Sequence, residues 1–208
     1  MDRPLRFLIR LLLVSFALLW LARLFTDDVI QFLLPVIRAE VTAIDDNLAI
    51  LSLDLSPAGE GKTLRLRGNL ARPQHYRQGV IYPLGWNSNT AGWYQVDLNA
   101  GAALQSSLIL LIAVLGWPQR SAADTAACAL IAVPLTVILF VLDTPLDLLG
   151  NFQEAVIRDL DPRAISPLFA WDKFLAGGGR TALALAFAAI AISIQRTLFK
   201  NPPVRMNS

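Results

Sequence analysis

Apolar residues gather in this chain into four long stretches, at residues 5–25, 99–117, 122–142 and 180–199, separated by short polar segments. Each approaches the roughly 20 residues an α-helix needs to cross about 30 Å of hydrocarbon. The pattern predicts an integral membrane α-helical protein with four transmembrane helices. Only residues 116–121 separate the second stretch from the third, so these two form an antiparallel helical hairpin. Between the first and second stretches the rhythm changes. Ala49, Leu51, Leu53 and Leu55 alternate with Ser52 and Asp54, and after a turn at Ser56 to Gly61, Leu64 and Leu66 alternate with Arg65 and Arg67. Residues 80–82 and 93–98 are further strand candidates. A small extracytoplasmic antiparallel β domain is therefore expected there.

Two flanking segments read as helices outside the membrane. Residues 29–44 are apolar with Arg38 and Glu40 interspersed and Pro35 inside, which predicts a kinked helix along the outer interface. Thr144, Pro145, Leu146 and Asp147 combine a cap residue, a proline at the first helical position and an acid three after the cap, so a helix is expected to begin there. Leu146, Leu149, Val156, Ile157 and Leu160 would rest that helix on the bilayer or on the β domain, with Asp161 and Pro162 ending it. Gly177 to Gly179 form a flexible lead-in to the last helix. The expected organisation is a signal-anchor helix at 1–28, a periplasmic β-rich domain at 29–98 and the helical hairpin at 99–142. An amphipathic helix and loop at 143–179 follow, then a fourth helix with a basic tail at 180–208.

Charge orients the chain. The termini and the 116–121 connection hold Arg3, Arg6, Arg10, Arg120, Arg196, Lys200 and Arg205 against only Asp2 and Asp124. Short, basic segments set topology through the positive-inside bias, so both termini are expected in the cytoplasm. The other 14 of the 16 acids fall on the outer side, which makes the net charge of +2 a difference between two faces. It is no signal for nucleic acid. With 55% hydrophobic and 16% charged residues and a mean hydropathy of +0.51, a water-soluble core is excluded. The first stretch runs on through Trp20 to Phe25 without a small-residue cleavage site and reads as a retained anchor. Trp20, Trp117 and Trp171 fall at expected membrane boundaries.

Candidate chemistry is sparse. Gly59, Gly61, Lys62 and Thr63 resemble the end of a phosphate-binding loop, but Ser56 stands where glycine is required and the context is strand-turn-strand, so no nucleotide is expected. The lone Cys128 lies inside an apolar stretch and reads as a packing residue; any disulfide would be intermolecular. His75 is the single histidine, which removes histidine-based zinc sites. Asp143, Asp147, Glu154, Asp159 and Asp161 crowd the second outer segment without calcium-loop spacing and read as a solvated acidic face partly paired with Arg158 and Arg163. Arg65, Arg67, Arg72 and Arg77 with His75 make a basic stretch whose default reading is a plain solvated strand face and which could contact anionic lipid, a polymer or an acidic partner. No charged residue occupies the centre of a helix, which argues against an ion-coupled transporter. Alanines at 182, 184, 186, 188, 189 and 191 permit close helix approach, within the chain or from a partner. No cofactor or metal is expected.

The opening Leu5-Arg6-Phe7-Leu8-Ile9-Arg10-Leu11, the β-patterned outer loop and the second stretch ending in Trp117-Pro118 resemble the small membrane proteins that accompany exosortase H in bacteria. That resemblance covers the whole chain and implies an inner-membrane accessory to protein sorting without peptidase activity. The expectation is a noncatalytic accessory protein whose partners are membrane lipids and another integral membrane protein. Arg65, Arg67, Arg72, Arg77, Asp143 and Asp147 are its candidate contact residues. The alternative is a membrane enzyme acting on a lipid or lipid-linked substrate through Asp143 and Asp147 with Arg158 or Arg163. A sensor of an envelope ligand is a third class, although its cytoplasmic segments could hold no output domain.

Overall fold

The computed structural model describes residues 3–58, 61–76, 79–85, 92–119, 121–157 and 166–200. Apolar, β-branch-poor sequence from Arg3 onward forms one 42-residue helix, α1 (Arg3–Ile44). The polar triplet Thr26-Asp27-Asp28 does not interrupt it, because carboxylates weaken a helix only slightly and Asp27 gains an ion pair with Lys62 at 2.6 Å. Residues 29–44 are thus the continuation of the first span, not a separate interfacial helix. Pro35 removes one backbone donor, yet the helix carries on through it.

The strands follow: β1 (Leu48–Ala58), β2 (Gly61–Leu70), β3 (Gln74–Tyr76), β4 (Gly79–Ile81) and β5 (Tyr94–Asn99). β1, β2 and β5 make an antiparallel sheet with β2 in the centre, and β3 and β4 make a separate two-stranded ladder. The hairpin expected from alternation is present, with one correction to its faces. Ile50 pairs with Gly68 but Ser52 pairs with Arg67, so Leu51 is an extra residue in β1, a β-bulge. The inward residues are therefore Leu48 and Ile50 before the bulge and Leu53 and Leu55 after it, opposite Leu70, Gly68, Leu66 and Leu64. Leu51 itself is 56% exposed.

The remaining elements are α2 (Ala100–Ala103), α3 (Gln105–Gly116), α4 (Ala122–Ile157), α5 (Pro167–Phe174) and α6 (Arg180–Lys200), with a π-helical turn at Leu175–Gly179 between the last two. Asn99 closes β5 and also caps α2, accepting from the Gly101 N–H at 2.8 Å. This turn and Leu104 take up the start of the second apolar stretch. What is left, α3, has 12 residues and is about 18 Å long, short of the hydrocarbon thickness. Three helical runs, Pro4–Ile44, Ala122–Ile157 and Pro167–Leu198, are long and apolar enough to cross a membrane, the pattern of a membrane protein.

α4 is continuous for 36 residues, through both Pro134 and Pro145, so no helix begins at Thr144. Thr144 serves another purpose: its hydroxyl donates to the Ala103 carbonyl at 3.0 Å, away from water. Gly178 has φ +108°, a conformation side chains disfavour, and this lets the chain turn between α5 and α6.

The chain divides into two compact units. Unit 1 comprises Met1–Leu24, Gln105–Phe140 and Arg180–Ser208. Its core joins Leu110 and Val114 of α3, Cys128, Ala132 and Leu139 of α4, and Ala184, Ala188, Ala191 and Ile192 of α6. Half of the alanine stripe on α6 is thus used inside the chain, while Ala182, Ala186 and Ala189 stay exposed. Gly116 admits Leu11 of α1, whose Cδ1 lies 2.6 Å from where a β-carbon would stand. Unit 2 comprises Phe25–Leu104 and Val141–Gly179. The inner face of its sheet, with Leu64, Leu66 and Val96, is buried, as are Ile30, Ile37 and Val41 of α1 and Leu148, Leu149, Phe152 and Val156 of α4. Phe152 fits over Gly68 and meets the Tyr94 ring edge-on at 5.8 Å. The C-terminal half of α4 therefore rests on the sheet.

Candidate functional site

The outer face of the sheet carries Arg65 and Arg67 on β2, and the register fixes what lies beside them. Arg65 sits between Asp54 on β1 and Asp97 on β5; Arg67 sits between Ser52 and Gln95. Arg65 Nε donates to Asp97 at 2.8 Å, Arg67 Nε donates to Gln95 Oε1 at 3.2 Å, and Gln95 in turn donates to Asp97 at 2.9 Å. Burial pushes the Asp97 carboxyl up, but the hydrogen bonds from Arg65 and Gln95 and the charges of Arg65 and Arg67 outweigh it, holding Asp97 below the usual aspartate range. Arg72 follows β2 and pairs with Asp46 at 3.1 Å. Of the expected basic stretch, Arg65, Arg67 and Arg72 are thus each matched with an acid or amide. Arg77 lies outside the described residues.

His75, exposed on β3, lines an open cleft of about 390 Å³ with Asp45, Gln74, Gln153 and Ser166. Lys62 and Thr63 lie within β2, and Lys62 is committed to Asp27. Gly59 lies outside the described residues. Cys128 is a buried free thiol in the core of unit 1, as a packing residue should be.

Asp143 and Asp147 depart from expectation. They are 1% and 2% exposed, so neither belongs to a solvated acidic face. The cause is the unbroken α4, which turns both toward the interior of unit 2 one helical turn apart. Asn151 stands a further turn on, and its amide donates to the Asp147 carbonyl at 2.8 Å, to Asp147 Oδ1 at 3.1 Å and to Asp172 Oδ1 on α5 at 3.3 Å. Asp172 is also buried, and Lys173 approaches its other oxygen at 3.5 Å. Close contact makes the bridge feasible: a β-carbon on Gly150 would stand 2.7 Å from the Leu168 carbonyl oxygen of α5. Trp171 adds a bond from its indole N–H to the Leu142 carbonyl at 3.0 Å. Glu154 faces Lys173 at 3.4 Å. Asp159, Asp161, Arg158 and Arg163 lie outside the described residues.

This cluster fastens α5 onto α4 through carboxylates that a low-dielectric interior tolerates only when hydrogen-bonded. Among the described residues, no group of three or more acids, histidines and cysteines is arranged to hold a metal ion. Asn151 and Asp172 were not anticipated from sequence. The four-residue step from Asp147 to Asn151 is a readable helical pair. Asp172, 21 residues on, is brought in only by the fold.

No protein-family model matches this chain, and no curated protein or solved structure matches it either.

Proposed function

We propose that this chain is a noncatalytic inner-membrane accessory protein, with both termini cytoplasmic, whose sheet-bearing unit lies on the periplasmic side and engages a larger integral membrane partner. In this reading α3, with the turn before it, completes a fourth membrane-embedded helix, and the sorting system is of the exosortase type. One observation carries the proposal. Along the part of α1 beyond its first 25 residues, Ile30, Ile37 and Val41 are buried in unit 2, while Val29, Phe32 and Val36 are exposed on a different face. Phe25, Val29, Phe32 and Val36 recur at steps of four, three and four, the spacing of a helix-packing seam. Phe32 is 80% exposed. The spanning segment needs only about 20 residues, so this seam extends past the hydrocarbon, where an uncovered phenylalanine forfeits about 2 kcal/mol of burial. A second apolar helix from a membrane partner covers it.

The test is co-purification from native membranes in mild detergent, with a photo-crosslinking residue at Phe32. A defined membrane protein should crosslink and co-purify, and Phe32→Glu should abolish the association while the chain still accumulates. A chain that runs alone under every gentle extraction, with no crosslink, refutes the proposal. The competing reading is an enzyme acting on a lipid-linked substrate at the outer interface through Asp143 and Asp147, which would have to open from their buried positions to reach it. Asparagine at both positions, in a chain that still accumulates and retains the cellular phenotype, removes that reading.

A further inference from the structure

Unit 1 holds a cleft of about 610 Å³ where the first turns of α1 and α4 meet the connection between α3 and α4. Arg10, Gln119, Ser121 and Thr125 supply its polar lining. Leu115, Ala126 and Ala129 supply an apolar one. Arg10 is held in place by two bonds, from Nε to the Leu115 carbonyl at 3.1 Å and from a terminal nitrogen to the Thr125 hydroxyl at 3.5 Å. Leu115 lies in the last turn of α3, where carbonyls lack helical partners, so the arginine fills a need of the fold and keeps other N–H groups in hand.

Among the described residues no acid neutralises this cation: none forms an ion pair with Arg10, and Asp124, the acid in the first turn of α4, instead accepts a hydrogen bond from Gln195 of α6 at 3.3 Å. Gln119 Nε2 is buried and has no hydrogen-bond partner among the described residues. An unmatched buried donor is costly, and a ligand oxygen would remove that cost. The cleft thus offers an oriented guanidinium, an uncommitted amide donor and the Ser121 hydroxyl beside the positive end of α4, the Thr125 hydroxyl being spent on the Ser121 carbonyl at 3.2 Å. Past them, Ala126 and Ala129 continue along the helix with side chains too small to fill the space.

We propose that this cleft binds the phosphate of an anionic phospholipid in the leaflet where α1 begins, with an acyl chain lying along Ala126 and Ala129. The polar lining suits a phosphate diester, and the alanine face distinguishes a lipid from a free anion, which would use only the polar half. Basic pockets between membrane helices on the positive side recognise lipid headgroups by this chemistry.

The test uses the full chain in detergent, with native mass spectrometry reporting retention of phosphatidylglycerol and phosphatidylcholine bearing identical acyl chains. Phosphatidylglycerol should bind about tenfold more tightly, because phosphatidylcholine brings the same phosphate together with a trimethylammonium that the Arg10 guanidinium repels. Arg10→Ala should erase the preference. Gln119→Leu, which removes the donor but none of the bonds that hold Arg10, should weaken phosphatidylglycerol retention about threefold or more. Arg6→Ala, exposed and outside the cleft, should keep the preference. Equal retention of the two lipids overturns the proposal, as does a preference that survives both cleft variants. Displacement of phosphatidylglycerol by millimolar inorganic phosphate that itself binds as tightly marks a free-anion site, and also overturns it.

Discussion

Gly150→Ala tests the close approach of α5 to α4 in unit 2. A β-carbon there would stand 2.7 Å from the Leu168 carbonyl oxygen and 2.8 Å from Asp172 Cβ, where ordinary contact begins at 3.4 Å. The nearest obstacle is backbone and cannot rotate aside, so α5 must move by about 0.7 Å. Overpacking of this kind costs about 1–3 kcal/mol. The same shift stretches the bond from Asn151 to Asp172, already 3.3 Å, and its loss costs about 1 kcal/mol more. Alanine's better helix propensity returns about 1 kcal/mol. The net is a loss of about 2 kcal/mol, roughly 30-fold in the folding equilibrium. Thermal unfolding in mild detergent, followed by intrinsic fluorescence, should show a midpoint lower by about 5 °C. Gly177→Ala is the control, because a β-carbon there meets nothing within 4 Å, and it should unfold with the parent. A Gly150→Ala chain as stable as the parent would refute the close packing of α4 on α5 and the carboxylate bridge with it.

Other outcomes follow from single contacts. Thr144→Val should cost about 1–2 kcal/mol by orphaning the buried Ala103 carbonyl, yet leave the helix content unchanged by circular dichroism, because Thr144 caps nothing. Asp97 sits below the ordinary value of 3.8, so the stability it adds is fully present above that pH and lost as pH falls through the depressed folded value. Acid unfolding curves should accordingly be steeper below about pH 4 for the parent than for Asp97→Asn. Lys62→Ala should lower stability by less than about 1 kcal/mol, because its pair with Asp27 is solvent-exposed, and the loss should shrink further in high salt.

Apolar run length and period-two alternation were enough to predict three of the four expected runs as helices long and apolar enough to cross a membrane, the β1–β2 hairpin and the approximate placement of β4 and β5, because both signals are local consequences of burying one face or a whole span. α6 begins at Arg180 as read from the apolar run. Helix ends were less legible. A proline after a threonine looks like a helix start at 144–145, but a proline inside a long packed helix forfeits one hydrogen bond that surrounding contacts outweigh, so α4 continues. The same holds for α1 at Asp27, Asp28 and Pro35. The bulge at Leu51 was invisible in a perfect alternation, since an inserted residue flips the parity only relative to a neighbouring strand.

The candidate sites divide along the same line. Its place inside an apolar run made Cys128 a packing residue, and it is buried in the core of unit 1. Whether charges stand free or paired depends on cross-strand and cross-helix neighbours, which sequence order does not encode. Register sets Arg65 beside Asp97, and the unbroken α4 buries Asp143 and Asp147 while a turn through Gly178 follows the helix that carries Asp172. Sequence by itself determined which runs are long and apolar enough to cross a membrane, because transfer from water depends on summed composition. Tertiary structure alone decided which polar groups meet one another, because hydrogen bonds and ion pairs act over a few ångströms between residues far apart along the chain.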